Sequence, residues 1–297
     1  MQWIDSHIHL FTAQESTVTS APPFVPENAI NTPALYLRHV SQHPPKGVVV
    51  VDFSRAEDPA HVVNSLDALH AQGMPAKGIV RGNVHDEQTH HWLQRDDIAG
   101  IRLYAVANIP NLAQDKAKWD RIFNTLRHRG QHILVYGVAP YLRKLIEQLP
   151  EDIPLLIDHL GMPKSHKGAS DPEFQALLSL MAARARTAAP VYFKGPGYRT
   201  ALSPHAAAPF VAEIIHKLGT EAVFLGASDA PFAGPASDTS SLDHGKPHAS
   251  LFDYHSVMDY VETLAQETAR LLGTDEKALS EQLLYKNAAD LYGFAAN

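Results

Sequence analysis

Eight short runs rich in Val, Ile, Leu and Tyr recur along the chain, spaced so that a helix fits between neighbours. They are Trp3–His9, Gly47–Phe53, Gly78–Val84, Ile98–Tyr104, His132–Tyr136, Ile153–His159, Val191–Lys194 and Ala222–Gly226. Near-continuous apolar strands suit a parallel sheet covered on both faces. Several segments between them carry apolar residues at helical spacing. Examples are Val62, Val63, Leu66 and Leu69; Trp119, Ile122, Phe123 and Leu126; and Phe210, Ile214, Ile215 and Leu218. This alternation predicts an α/β protein of the (β/α)8 TIM-barrel type. A doubly wound open sheet is the structural alternative, but no Gly-rich GxGxxG turn follows the first strand. The 297 residues are enough for two average domains, yet a barrel of this length is a single unit, and no internal boundary is visible over 1–297.

Composition removes several function classes. The chain is 45% hydrophobic, enough for a large core, so intrinsic disorder is excluded. Its formal net charge of −7 and lack of a long basic run make nucleic acid an unexpected partner. Cysteine is absent, which rules out disulfides, thiolate zinc sites, iron–sulfur clusters and a cysteine nucleophile. No apolar run is long enough to span a membrane, and the opening MQWIDSHIHL lacks the basic and apolar regions of a signal peptide. A cytoplasmic location is the expectation.

The chemistry sits where these strands end. Asp5, His7 and His9 lie at alternate positions, which in a regular strand puts them on one face, with Ile4, Ile8 and Leu10 on the other. Polar residues facing inward are costly unless they meet water, metal or substrate; the competing reading is a set of hydrogen-bonded structural histidines. The sixth strand ends in Asp158-His159, which alternation places on opposite faces. The eighth leads into Ser228-Asp229-Ala230-Pro231, which also reads as a capped turn. Arg81, Arg102, Tyr136 and Lys194 follow apolar residues in the third, fourth, fifth and seventh strands. Singly, each has a structural reading: a solvated arginine, or a lysine snorkelling to the surface. Together they matter more, because a barrel brings all its strand ends to one mouth. Two long insertions, 11–45 and 231–253, follow the first and eighth strands and are expected over that mouth.

Other catalytic templates fail. There is no GxSxG elbow, HExxH helix or P-loop. The group His85, Asp86, Glu87, His90 and His91 matches no metal-binding face and reads as a solvated helix start.

An ordered set of motifs then carries a resemblance. Asp5-x-His7-x-His9, Gly100-Ile-Arg102-Leu, Asp158-His159-Leu-Gly-x-Pro, Lys194-Gly-Pro-Gly-Tyr-Arg, Ser228-Asp229-x-Pro and Asn287-x-x-x-Leu291-Tyr-Gly together resemble the amidohydrolase superfamily. The branch most similar is the one that includes the pyrone dicarboxylate lactonases and sugar lactonases. The resemblance implies a (β/α)8 barrel that hydrolyses at a carbonyl carbon. It places the family's histidines on His7, His9 and His159, its aspartate on Asp229, and its fourth-strand arginine on Arg102. The chain departs from metal-dependent members at the fifth strand, where Tyr136 and Gly137 stand in place of a His, carboxylated Lys or Glu ligand. It departs from the pyrone lactonase pattern at Met162 and Lys194, where arginines are expected.

The expected function is hydrolysis of a small anionic or sugar-derived lactone without an obligatory cofactor. Asp229 is the expected general base and His7, His9 and His159 the oxyanion donors, while Arg102, Lys194, Tyr136 and Arg81 bind substrate. A metal-dependent hydrolase or decarboxylase is the alternative, with His7, His9, His159 and Asp229 holding one zinc or manganese ion. A barrel that only binds a metabolite would not need a base.

Overall fold

The computed structural model describes residues 2–11, 32–54, 56, 58–106, 108–187, 189–230 and 254–294. Eight strands form one parallel sheet in sequence order: β1 Asp5–Ile8, β2 Val48–Val51, β3 Ala76–Arg81, β4 Ile98–Ala105, β5 His132–Gly137, β6 Leu155–Ile157, β7 Val191–Lys194 and β8 Val223–Phe224. The helices are α1 Pro33–Val40, α2 His61–His70, α3 Glu87–Trp92, α4 Lys116–Arg129, α5 Tyr141–Ile146, α6 Pro172–Ala185 and α7 Pro204–Leu218, then α8 Tyr254–Leu272, α9 Glu276–Glu281 and α10 Asn287–Tyr292. All eight expected strands are present, most of them shorter than their apolar runs. None of the described helices is long and apolar enough to cross a membrane. The two insertions lie largely outside the described residues.

The segment that follows β8 closes the sheet on β1. A parallel bridge joins Ile8 to Ala230, and three main-chain bonds run alongside it: Ser6 N to Gly226 O, Asp229 N to His7 O and His9 N to Ala230 O. Gly226 allows this approach, since a Cβ there would lie 2.6 Å from the carbonyl oxygens of both Ile4 and Leu284. The result is a (β/α)8 barrel.

Strand alternation sorts the apolar residues into two layers. On β2, Val49 and Val51 join Ile4, Ile79, Leu134, Leu156 and Phe224 inside the barrel, while Val48 and Val50 pack under the helices. Burying one such side chain contributes about 1.5–3 kcal/mol. Tyr285, Tyr292 and Phe294 plug the inner layer at the end remote from the strand C-termini. The helical stripes read from the sequence face the outer layer, as with Trp119, Ile122, Phe123 and Leu126 on α4. Helix α3 begins at Asp86, whose side chain accepts the Gln88 amide hydrogen bond, so the His85–His91 group is a capped, largely exposed helix start.

Candidate active site

The first strand does not keep simple alternation. Asp5 pairs with Val48 and Ile8 with Val50, so β1 holds one residue more than its partner, a β-bulge. The extra residue changes which side chains face inward. Asp5 turns out between the barrel and the helices, accepting bonds from Ser228 N at 2.9 Å, Ser228 Oγ at 2.8 Å and Tyr254 Oη at 2.9 Å. His7 and His9 turn into the mouth, and Ile4 joins the inner core. The expectation that Asp5 shares a face with the two histidines, and Ile4 with Ile8 and Leu10, is therefore corrected.

The sixth strand corrects a second expectation. It ends at Ile157, and the chain then turns left-handed at His159 (φ 51°), Leu160 (57°), Gly161 (79°) and Met162 (49°). Asp158 and His159 consequently both reach the site instead of facing opposite ways. Such backbone costs about 1 kcal/mol or more per non-glycine residue, and it concentrates at functional positions. Asp229 also has positive φ, at 54°.

Four of the expected residues converge. His7 Nε2 lies 3.3 Å from His9 Nε2; Asp229 Oδ1 is 3.7 Å from the first and 3.6 Å from the second. The His159 ring stands 5.1 Å from that of His7. The network assigns the protons, which coordinates do not show. His9 Nδ1 is 2.8 Å from the carbonyl oxygen of Val51, which can only accept, so Nδ1 carries the hydrogen. His7 Nδ1 lies 3.2 Å from Asp158 Oδ1 without forming a hydrogen bond, whereas His7 Nε2 is placed to donate to His9 Nε2. His9 Nε2 thus accepts from His7 Nε2, and both lie beside Asp229 Oδ1, a carboxylate oxygen that has no hydrogen-bond partner among the described residues.

Charge is balanced tightly here. Burial pushes all three imidazoles below their ordinary value, His159 to about 3, so they are neutral at pH 7. Burial alone would raise the Asp229 carboxyl, but Arg199 and the neighbouring histidines outweigh it and hold it well below the usual carboxylate range. Arg199 Nε and Nη2 sit 2.8 and 2.7 Å from Asp229 Oδ2, and Tyr198 Oη donates to the same oxygen at 2.5 Å.

Asp158 is a second focus. Arg102 Nη2 contacts its Oδ2 at 2.6 Å, and Lys194 Nζ lies 3.6 Å from Oδ1 and 3.1 Å from the Ser6 carbonyl. Burial would raise Asp158 too; Arg102, His7 and Lys194 reverse this. Burial lowers Lys194 to about 8 against the pull of Asp158. Lys194 is therefore no surface lysine. It and Arg102 are buried with their charges engaged by protein groups. Tyr136 is half-buried, edge-on to His159 with ring centroids 5.5 Å apart and 5.0 Å from the Arg102 guanidinium carbon.

Arg81 stands apart from the histidine group. It clasps Asp52 through two bonds, Nε to Oδ2 at 3.0 Å and Nη2 to Oδ1 at 3.1 Å. Tyr104 Oη donates to Asp52 Oδ2 at 2.6 Å, and His61 Nε2 lies 3.4 Å from Oδ1. The Asp52 main-chain oxygen accepts from Arg102 Nη1 at 2.7 Å, which links the two groups. Arg81 is 24% exposed, so it reaches the mouth as Arg102 and Lys194 do not. Sequence reasoning passed over Asp52, His61, Tyr104, Tyr198 and Arg199. Two signals were available: Asp52 ends the second apolar run just as the other polar residues end theirs, and Arg199 closes the Lys194-Gly-Pro-Gly-Tyr-Arg motif.

Two nitrogens each about 2.1 Å from a tetrahedral ion stand about 3.4 Å apart, and ligating imidazoles commonly donate their other N–H to a carbonyl or carboxylate. His7 and His9 meet the first condition and His9 the second, so with Asp229 they fit one divalent ion.

Comparison with known proteins agrees with this architecture. The amidohydrolase family model matches residues 4–294. A probable 2-pyrone-4,6-dicarboxylic acid hydrolase from Acinetobacter baumannii, solved with citric acid bound, is 21% identical with a TM-score of 0.71, covering 99% of this chain and 100% of its own. A protein given the same provisional name, from Pseudomonas putida, is 23% identical with a TM-score of 0.69, covering 100% and 99%. A dihydroorotase from Campylobacter jejuni is 15% identical with a TM-score of 0.54, covering 100% and 84%. No curated protein matches the sequence.

Proposed function

The chain belongs to the amidohydrolase family, and on that premise we propose that it is a hydrolase opening the carboxylic ester ring of a small anionic lactone. The observation that carries the reading is the division of labour on Asp229. Its Oδ2 is held by Arg199 and Tyr198, while its Oδ1 has no hydrogen-bond partner among the described residues and lies beside the Nε2 atoms of His7 and His9.

Asp229 Oδ1, an ionised acceptor beside the imidazoles, seats a water by binding one of its hydrogens. The water's own lone pair is then left to attack a carbonyl carbon. Asp229 Oδ1 takes the proton, and returns it to the leaving alkoxide when the ring opens. With His7 Nε2 and His9 Nε2 facing each other, His159 is the imidazole left to donate to the developing oxyanion. Its Nδ1 is buried without a partner among the described residues. One such donor is worth about 3–4 kcal/mol of barrier.

An anionic substrate matches the charge of the site. Arg102, Lys194 and Arg199 outnumber Asp158 and Asp229 around neutral histidines. Arg81 and Tyr136, the exposed members, are the residues placed to touch the substrate. The lactone class follows the names carried by the Acinetobacter and Pseudomonas proteins, one of which holds a small carboxylic acid. A zinc or manganese ion held by His7, His9 and Asp229, with His159 beside them, would polarise the carbonyl and acidify the water.

The test is steady-state hydrolysis of five- and six-membered lactones, with and without carboxylates, before and after chelation. Turnover favouring carboxylated rings supports the reading. Failure on every lactone, with and without added zinc or manganese, overturns it.

A further inference from the structure

Arg81 is a cation at the mouth with hydrogens to spare. Alternation turns it inward: Ile79, two residues earlier on β3, lies in the inner layer, and Arg81 pairs in register with Arg102 of β4. A guanidinium carries five N–H hydrogens. Nε donates to Asp52 Oδ2 at 3.0 Å, and Nη2 meets Asp52 Oδ1 at 3.1 Å, the Phe53 carbonyl at 2.7 Å and the Ala56 carbonyl at 3.3 Å. Nη1 makes no hydrogen bond among the described residues, and the side chain is 24% exposed.

The bonded edge is held in a built cradle. Asp52 is fully buried, and its Oδ2 also accepts from Tyr104 Oη at 2.6 Å, which keeps the carboxylate from swinging away. His61 braces the main chain behind it. Its Nδ1 is 2.9 Å from the Leu10 carbonyl, which can only accept, and its Nε2 accepts from Phe53 N at 3.2 Å. The same stretch of chain steadies the histidine pair, since His9 Nδ1 donates to Val51 O at 2.8 Å and the His9 and Phe53 ring centroids are 5.1 Å apart. Residues 51 to 53 span at most about 7 Å even when fully extended. The imidazole of His9 and the guanidinium of Arg81 therefore hang from carbonyls within a small molecule's length of each other.

We infer that Arg81 Nη1 binds a carboxylate carried by the substrate, and that Asp52 is a positioning residue that holds the guanidinium by its other edge. The inference deepens the function proposed above and rests on the part of it that gives the mouth an anionic ligand. It makes the substrate class a lactone with an acid group across the ring from the reacting carbonyl, not a neutral sugar lactone.

The test is calorimetric titration of the full-length chain, as purified, with glutarate, a dicarboxylate that has no bond to hydrolyse. The wild type is expected to bind it, and Arg81→Met to weaken binding about ten- to a hundredfold, the worth of one hydrogen bond to a charged group. Asp52→Asn separates positioning from charge. Removing a negative charge beside the site would by field alone tighten glutarate binding, whereas loss of the hold on the guanidinium weakens it. A wild type that ignores glutarate, equal affinity in Arg81→Met, or unchanged or tighter binding in Asp52→Asn overturns the inference. Should Arg81→Met leave the buried Asp52 too costly for folding, Arg81→Met/Asp52→Asn removes both charges and carries the same measurement. Glutarate binding is read without turnover. A wild type inactive on every lactone would overturn the function proposed above and leave the carboxylate contact standing, while one that opens lactones but binds glutarate equally with and without Arg81 loses the contact alone.

Discussion

Asp229 is shared between two kinds of neighbour: Arg199 holds one of its oxygens at 2.7–2.8 Å, and His7 faces the other at 3.7 Å. The arginine keeps the carboxylate ionised and oriented; the imidazole side is where the proposed chemistry would take place. Each side can be perturbed separately.

On the chemistry side, Asp229→Asn removes the proton acceptor and retains the shape. A positioned base contributes about 10²–10⁴-fold, so kcat on the best lactone should fall within that range. Near-wild-type kcat in Asp229→Asn would remove Asp229 from the role.

On the arginine side, Arg199→Met takes away the largest influence lowering the Asp229 carboxyl. The folded carboxyl then titrates at higher pH. The base form is lost on acidification, so the acid limb of the kcat/KM profile should move to higher pH. An unmoved limb would show that another group sets it.

The cluster of His7, His9 and Asp229 predicts one high-affinity divalent site per chain. Titration of chelated protein with zinc, followed by isothermal calorimetry, should give a stoichiometry of one. His9→Asn should weaken it by at least about tenfold, since even the partners of ligands cost that much. Equal affinity in His9→Asn would place the ion elsewhere.

His132 predicts how the fold responds to acid. Burial, aided by Lys194, lowers it to about 3, with Nε2 unpartnered. The unfolded chain takes up the proton near pH 6.5 and the folded chain does not, so stability is complete above that value and falls below it. The loss between pH 6.5 and 4 is roughly 3 kcal/mol from this group. Urea unfolding of His132→Leu should show a correspondingly shallower decline than the wild type over that window.

Buried and exposed ion pairs should part company. Arg102→Met leaves Asp158 with one fewer cation in a closed site and should cost about 3–5 kcal/mol. Arg127→Met breaks the pair with Asp152 on the surface, where both partners are about 40–50% exposed, and should cost less than about 1 kcal/mol. Parallel urea unfolding of the two variants compares them directly.

The barrel was legible because each strand announces itself twice, by an apolar run and by a polar residue at its end. The same signal located His7, His9, His159 and Asp229, and the structure brings these together. What alternation could not show was where it breaks. A bulge in β1 and a left-handed turn after Ile157 each redirect side chains, and neither leaves a mark in hydrophobic periodicity. Asp158 illustrates the cost: counted from the strand it should face away from His159, yet both join one site. Partnerships between neighbouring strands, such as Arg199 with Asp229 or Arg81 with Asp52, depend on how the sheet is paired and have no local signature at all.

The bond from Asp229 N to the carbonyl of His7, 2.7 Å long, belongs to the seam that shuts the sheet. Asp229 and the histidine pair are far apart in sequence and meet across this seam. Turnover should therefore double as a report on closure of the barrel: activity during refolding is expected only once the segment after β8 has joined β1.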